Sequence, residues 1–163
     1  MTPLYLALPL SVLMISAAII DIKTRKIPNY IIIAGLAIGI AVNVIRAFVY
    51  CDFSIIISCL AGALAGGLPL IAVSLASHGG MGMGDVKFMA MIGSFLGPRC
   101  AIEALIVAIL AGGVYGVILL ILKKKNLKSA FAFGPFLAFG GFCVIFLDKY
   151  IHQFLAVVYH IPI

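Results

Sequence analysis

Asp21 and Asp85 are the residues whose type and setting could do chemistry. The 163-residue chain carries only five acidic residues. These two each stand at one end of an apolar run, beside a short polar motif. Asp21 opens Asp21-Ile22-Lys23-Thr24-Arg25-Lys26-Ile27-Pro28-Asn29, and Asp85 closes Gly82-Met83-Gly84-Asp85, with Lys87 just after it. A carboxylate at a membrane boundary is costly to hold, so it is a functional candidate by default. Two carboxylates within reach of one water could hydrolyse a carbonyl compound. Close carboxylates do not both ionise cheaply, so one keeps a proton. The ionised member takes a proton from the attacking water, while the protonated member polarises the carbonyl.

Plainer structural readings stand beside this one. The segment from Asp21 to Asn29 reads as a turn, with Pro28 and Asn29 breaking one helix and starting the next. Pairing with Arg25 at i, i+4 is expected to solvate Asp21. Gly79-Gly80-Met81-Gly82-Met83-Gly84-Asp85 reads as a flexible connector with a capping aspartate. A phosphate cradle needs a preceding strand and a following Lys-Ser/Thr, and neither is present. Four glycines among Gly79–Gly84 leave the backbone free, so a mobile gate that admits an extended peptide is expected there. Lys87 could contact substrate or act on an aspartate; otherwise it snorkels. His78 is expected to line the loop, with His152 and His160 at the opposite side. No serine–histidine or cysteine–histidine set competes.

The elements that must position the pair are membrane helices. Hydrophobic residues make up 65% of the chain and charged residues 10%, against about 25% charged in soluble domains. An ordinary soluble globule and a disordered chain are both excluded. The net charge of +6 reads as loop lysine and arginine setting orientation, not as a nucleic-acid surface. No C-x-x-C pair occurs, so zinc and redox motifs are unsupported. Cys59 and Cys143 read as packing residues, while Cys51 and Cys100 could meet near the outer face. The first apolar run lacks a basic n-region and reads as a retained span.

A spanning helix needs roughly 20 apolar residues. Candidates run from about Pro3 to Ile20, Tyr30 to Tyr50 (interrupted by Asn43 and Arg46), Phe53 to Ala76, Cys100 to Leu122 and Ala130 to Leu147. Val86 to Leu96 is short but must reconnect two long spans. The expected fold is therefore all-α: a six-span transmembrane bundle with a short fourth span, as a single domain over residues 1–163. Lys23, Arg25 and Lys26, and then Lys123, Lys124, Lys125 and Lys128, fall on one side, which the positive-inside rule makes cytoplasmic. Both termini then lie outside, and both aspartates reach the cytoplasmic face. Gly62, Gly66 and Gly67, and Gly112 with Gly116, are expected to let helices pack closely. Arg99 and Glu103 should pair locally near the outer face. Asp52 and Asp148 should be solvated at outer loop edges. The tail from Tyr150 could lie along the outer interface.

At these residues the chain resembles the type IV prepilin peptidases, membrane aspartyl proteases of the GxGD class. Asp21 with Arg25, Ile27, Pro28 and Asn29 is similar to that family's first aspartate region. Gly82, Gly84, Asp85 and Lys87 are similar to its second. Phe133-Gly134-Pro135-Phe136-Leu137-Ala138 resembles a third segment, at the start of the last span. The resemblance implies that Asp21 and Asp85 are catalytic. It implies that Gly82, Gly84, Lys87, Arg25, Pro28, Asn29, Gly134 and Pro135 shape the site or bind substrate. No metal and no cofactor are implied. The implied partner is a prepilin-like membrane substrate, with a basic leader and an apolar helix, cut at the cytoplasmic face of a prokaryotic inner membrane. Larger members carry an N-terminal extension with two C-x-x-C zinc pairs and N-methylate the new terminus. This chain starts at its first span, so it resembles short, protease-only forms. The alternatives from other classes are a small ion- or proton-coupled transporter and a non-catalytic pilus assembly factor. Transport would favour acids deep in the spans or an inverted repeat, and the chain has neither.

Overall fold

The computed structural model describes residues 4–76, 82–122 and 132–159. These form six helices and no strand: α1 (Leu4–Thr24), α2 (Asn29–Val49), α3 (Ser54–Ala76), α4 (Met83–Leu96), α5 (Pro98–Ile121) and α6 (Gly134–Tyr159). Four of them, α1, α2, α3 and α5, are long and apolar enough to cross a membrane. The apolar part of α6, Gly134–Leu147, is shorter. Large apolar side chains cover the outside: Leu8, Val12, Ile15 and Ile19 on α1, and Leu60, Leu64, Leu68 and Leu75 on α3. Soluble monomers do not expose apolar surface on this scale, whereas a lipid-facing helix must. The chain is an all-α integral membrane protein.

α4 explains how so short a helix is accommodated. Its 14 residues extend about 21 Å, less than a hydrocarbon core of about 30 Å. It touches all five other helices and sits at the centre of the bundle. Phe88, Met89, Met91, Ile92 and Phe95 are buried there. Lipid itself gives apolar helices little reason to associate, so close packing must do so. The closest approach is between α3 and α4. A Cβ on Gly62 would strike the Gly93 carbonyl oxygen, and one on Gly93 would strike that of Gly62. One turn on, a Cβ on Gly66 would come 2.6 Å from the Met89 carbonyl oxygen. Gly112 also packs inward, beneath Phe133, but a Cβ on Gly116 would have nothing within 4 Å among the described residues. Among the described residues the expected Gly112–Gly116 pair is therefore half internal: four residues move the helix face by slightly more than one turn, and Phe133 and Phe136 cover only the first glycine.

A polar clamp secures the other end of α4. Asn43, buried in α2, donates from Nδ2 to the Gly39 and Ser94 carbonyls at 2.9 and 3.1 Å. Its Oδ1 accepts from Arg46 Nη1 at 2.9 Å, and the Arg46 guanidinium lies 6.0 Å from the Tyr5 ring centre. The two residues that interrupt the second span thus tie α2 to α4. Arg99 meets Glu103 at 3.2 Å, as expected, with the Glu103 side chain only 7% exposed. In the turn before α3, Asp52 accepts from the Ser54 N–H at 2.9 Å. The Ser54 hydroxyl and N–H hold its carboxyl below the ordinary range.

Several expectations shift. α1 continues past Ile20 to Thr24, so Asp21 lies inside its last turns rather than at its end. α6 runs through to Tyr159, with a break at Leu147 (φ −117°, ψ 15°) where the sixth span was expected to stop. None of the four cysteines forms a disulfide, so Cys51 and Cys100 are not joined. His78, Gly79, Gly80, Met81, the lysines at 123, 124, 125 and 128, and His160 lie outside the described residues, as do the side chains of Asp148 and His152.

Candidate active site

The site is built where α1 ends and α2, α4 and α6 begin. α1 stops because Arg25 takes a left-handed conformation (φ 52°), its N–H donating to the Asp21 carbonyl at 2.8 Å. This is a common helix stop, in which one residue turns out and satisfies a late carbonyl. It also corrects an expectation. Arg25 is exposed and forms no ion pair with Asp21. An i, i+4 pair needs helix through both residues, and the helix ends between them. Pro28, extended at φ −66° and ψ 131°, then caps α2, so the break at Pro28-Asn29 falls where the turn signal put it.

Asp21 faces inward and is 3% exposed. Its Oδ2 accepts the Gly134 N–H at 2.9 Å. Asp85 occupies the first turn of α4 and is half-buried. The two carboxylates lie within electrostatic reach of each other. Ile27, 8% exposed, is the wedge between the partners. Its backbone and Cβ would meet a Cβ on Gly84 at 3.6–3.9 Å, and its Cδ1 would meet one on Gly134 at 3.1 Å. Ile27 thus fills the space between the first turns of α4 and α6.

Gly82 and Gly84 are not in a loose connector. Gly82 is the extended N-cap of α4, with φ −70° and ψ 135°, and Gly84 is helical. A Cβ on Gly82 would come 3.6 Å from Asp85 Oδ2, an ordinary contact. Lys87 does not reach either aspartate: its Nζ lies 3.5 Å from Asn29 Oδ1 at the exposed rim. Lys87 and Asn29 therefore bridge α4 to α2 at the mouth of the site. Pro135 follows Gly134 in the first turn of α6. Among the described residues no three of His, Cys, Asp and Glu gather as a metal-binding group.

The structure brings together Asp21, Asp85, Gly134 and Ile27, with Lys87 and Asn29 at the rim. It leaves Arg25 outside. The part played by Ile27 as a wedge was not legible, since one isoleucine among many carries no distinguishing signal. The Gly134 contact was signalled only by a motif; its donor is a backbone group.

The model of the type IV leader peptidase family matches residues 8–117, a segment that includes both Asp21 and Asp85. Among curated proteins, the chain is 33% identical over 128 residues to a prepilin leader peptidase/N-methyltransferase of Pectobacterium carotovorum subsp. carotovorum, covering 76% of this chain and 44% of the relative. It is 32% identical over 129 residues to one of Bacillus subtilis (strain 168), covering 79% and 50%. It is 29% identical over 143 residues to one of Pseudomonas putida, covering 85% and 48%. The chain spans about half the length of the curated relatives it matches. No solved structure matches it. With the family match spanning most of the chain and both aspartates inside it, this protein belongs to the type IV leader peptidase family.

Proposed function

We propose that this protein is an aspartyl endopeptidase that removes the leader of type IV prepilin-like proteins at the cytoplasmic face of a prokaryotic inner membrane. One observation carries the reading. Asp21 and Asp85, far apart in sequence, meet at one end of the bundle within electrostatic reach of each other. A carboxylate pair that shares a proton can supply both the base and the acid of peptide hydrolysis. The relatives are named prepilin leader peptidases, which agrees with a peptidase acting on such leaders. The apolar helix of the substrate would lie among the peptidase helices in lipid. Its basic leader would emerge at the polar rim beside Lys87 and Asn29, where the scissile bond meets the pair. No metal or cofactor is needed for this step. The decisive test is cleavage of a model prepilin by the purified protein. Release of the leader peptide supports the reading, and an intact prepilin in the presence of folded enzyme removes it.

The cytoplasmic placement rests on charge. Lys23, Arg25 and Lys26 are exposed at the aspartate end, while Arg46 and Arg99 sit at the other. The positive-inside rule then puts the aspartates inside. In intact cells carrying a cysteine-free variant, an impermeant maleimide should label Asp52→Cys and miss Lys124→Cys. Efficient labelling of Lys124→Cys from outside would invert the topology.

A further inference from the structure

The two aspartates are not equivalent. α6 begins at Gly134 in a buried position, and the first N–H groups of a helix have no partner within it. Phe136 and Leu137 donate to the Phe133 carbonyl at 3.0 and 3.2 Å, and Pro135 has no N–H to give. The Gly134 N–H is the remaining donor of this turn, and it goes to Asp21 Oδ2 at 2.9 Å. Among the described residues no donor meets the Asp85 carboxyl. Asp21 is only 3% exposed, so its charge needs a donor from the protein. A hydrogen bond from N–H to a carboxylate favours the charged form, and the positive end of the α6 dipole acts in the same sense.

Building on the peptidase reading, we propose that Gly134 is a positioning residue that divides labour between the aspartates: its N–H holds Asp21 as the carboxylate that deprotonates water and leaves Asp85 as the carboxylic acid that protonates the scissile carbonyl. The step balances. Water gives a proton to Asp21 as its oxygen bonds to the carbonyl carbon, and the Asp85 proton passes to the carbonyl oxygen. Collapse of the tetrahedral intermediate breaks the C–N bond, the proton on Asp21 goes to the leaving amine, and Asp85 recovers its proton from the gem-diol.

The glycine is required because the space beside it is taken. A Cβ at residue 134 would lie 2.6 Å from Asp21 Oδ2 and 3.1 Å from its Cγ. Gly134 is not in the left-handed region, which among the described glycines only Gly97 occupies, so alanine suits its backbone. What must move in Gly134→Ala is the tip of the Asp21 side chain, away from its donor. The charged and titratable groups around Asp21 are few. α4 presents Asp85, with Lys87 turned to Asn29. The start of α6 presents only the peptide, and the α1–α2 turn presents apolar Ile27, with Lys23, Arg25 and Lys26 exposed.

The test is the pH–rate profile of wild type and Gly134→Ala on a model prepilin in detergent, with folding checked by thermal denaturation. The state with Asp21 charged and Asp85 protonated loses its donor in the variant, and so does the doubly charged state. The acid limb should therefore move up by about one pH unit, the alkaline limb should stay, and kcat should fall with KM within about twofold of wild type. A profile superimposable on wild type would overturn the proposal. Should Gly134→Ala not fold, the aspartate variants decide. In Asp85→Asn the new amide is neutral and can still donate a hydrogen bond, so residual cleavage should be at least about tenfold above that of Asp21→Asn. Equal residual activities, or the reverse order, would refute the assignment. A folded wild type that cleaves nothing removes the peptidase reading itself, and the assignment with it.

Discussion

Asp21→Asn and Asp85→Asn will each yield a folded, membrane-inserted protein whose prepilin cleavage is reduced by about 10²–10⁴-fold. Asparagine keeps the shape of aspartate but cannot exchange a proton as a carboxyl group does. In Asp21→Asn the side chain still has an oxygen to accept the Gly134 N–H, which the native carboxylate meets at 2.9 Å, so α1 and α6 remain docked. What is lost is the base. In Asp85→Asn the core of α4 is untouched, since residue 85 lies in the first turn, ahead of the buried run from Val86 to Phe95. The measurement is cleavage per unit of correctly inserted protein, with thermal denaturation in detergent as the check on folding. Turnover within a few fold of wild type in either variant would take that residue out of the mechanism.

The largest effect on stability is expected from Gly93→Val. A Cβ on Gly93 would collide with the Gly62 carbonyl oxygen, lie 2.7 Å from its carbon and sit 3.2 Å from Ala101 Cβ. The obstacle is backbone, which cannot rotate aside as a side chain does, so α3 and α4 would have to separate. Because α4 contacts every other helix, that separation would disturb the whole bundle and tilt Asp85 away from Asp21. Overpacking of this kind costs about 3 kcal/mol, enough to lower the unfolding midpoint clearly or to prevent accumulation. Gly113→Ala and Gly116→Ala are the contrast. Among the described residues nothing lies within 4 Å of a Cβ at either position, so both should leave stability within about 0.5 kcal/mol of wild type. A wild-type midpoint for Gly93→Val would mean that the α3–α4 crossing is looser than the structure has it.

Composition and charge by themselves determined that this is a helical membrane protein and which residues stand out in it. Two of five acids at the ends of apolar runs are conspicuous because a charge there is expensive. The break at Pro28-Asn29 was equally legible, since proline's missing N–H and fixed φ act locally. So were the shortness of the fourth helix and the Arg99–Glu103 pair, which lies within one helix.

Only the tertiary structure decided that Arg25 turns away from Asp21, that Ile27 wedges between α4 and α6, that Asn43 clasps the Ser94 carbonyl, and that the Gly134 N–H belongs to Asp21. The reason is common to all four. In lipid, a helix is apolar on the face that meets its neighbours and on the face that meets hydrocarbon, so hydrophobic periodicity does not mark which face turns inward. The contacts that matter here are made by backbone donors, by missing side chains and by a single left-handed residue. Such groups carry little signature in the residue type, and their partners are chosen only when the helices close on one another.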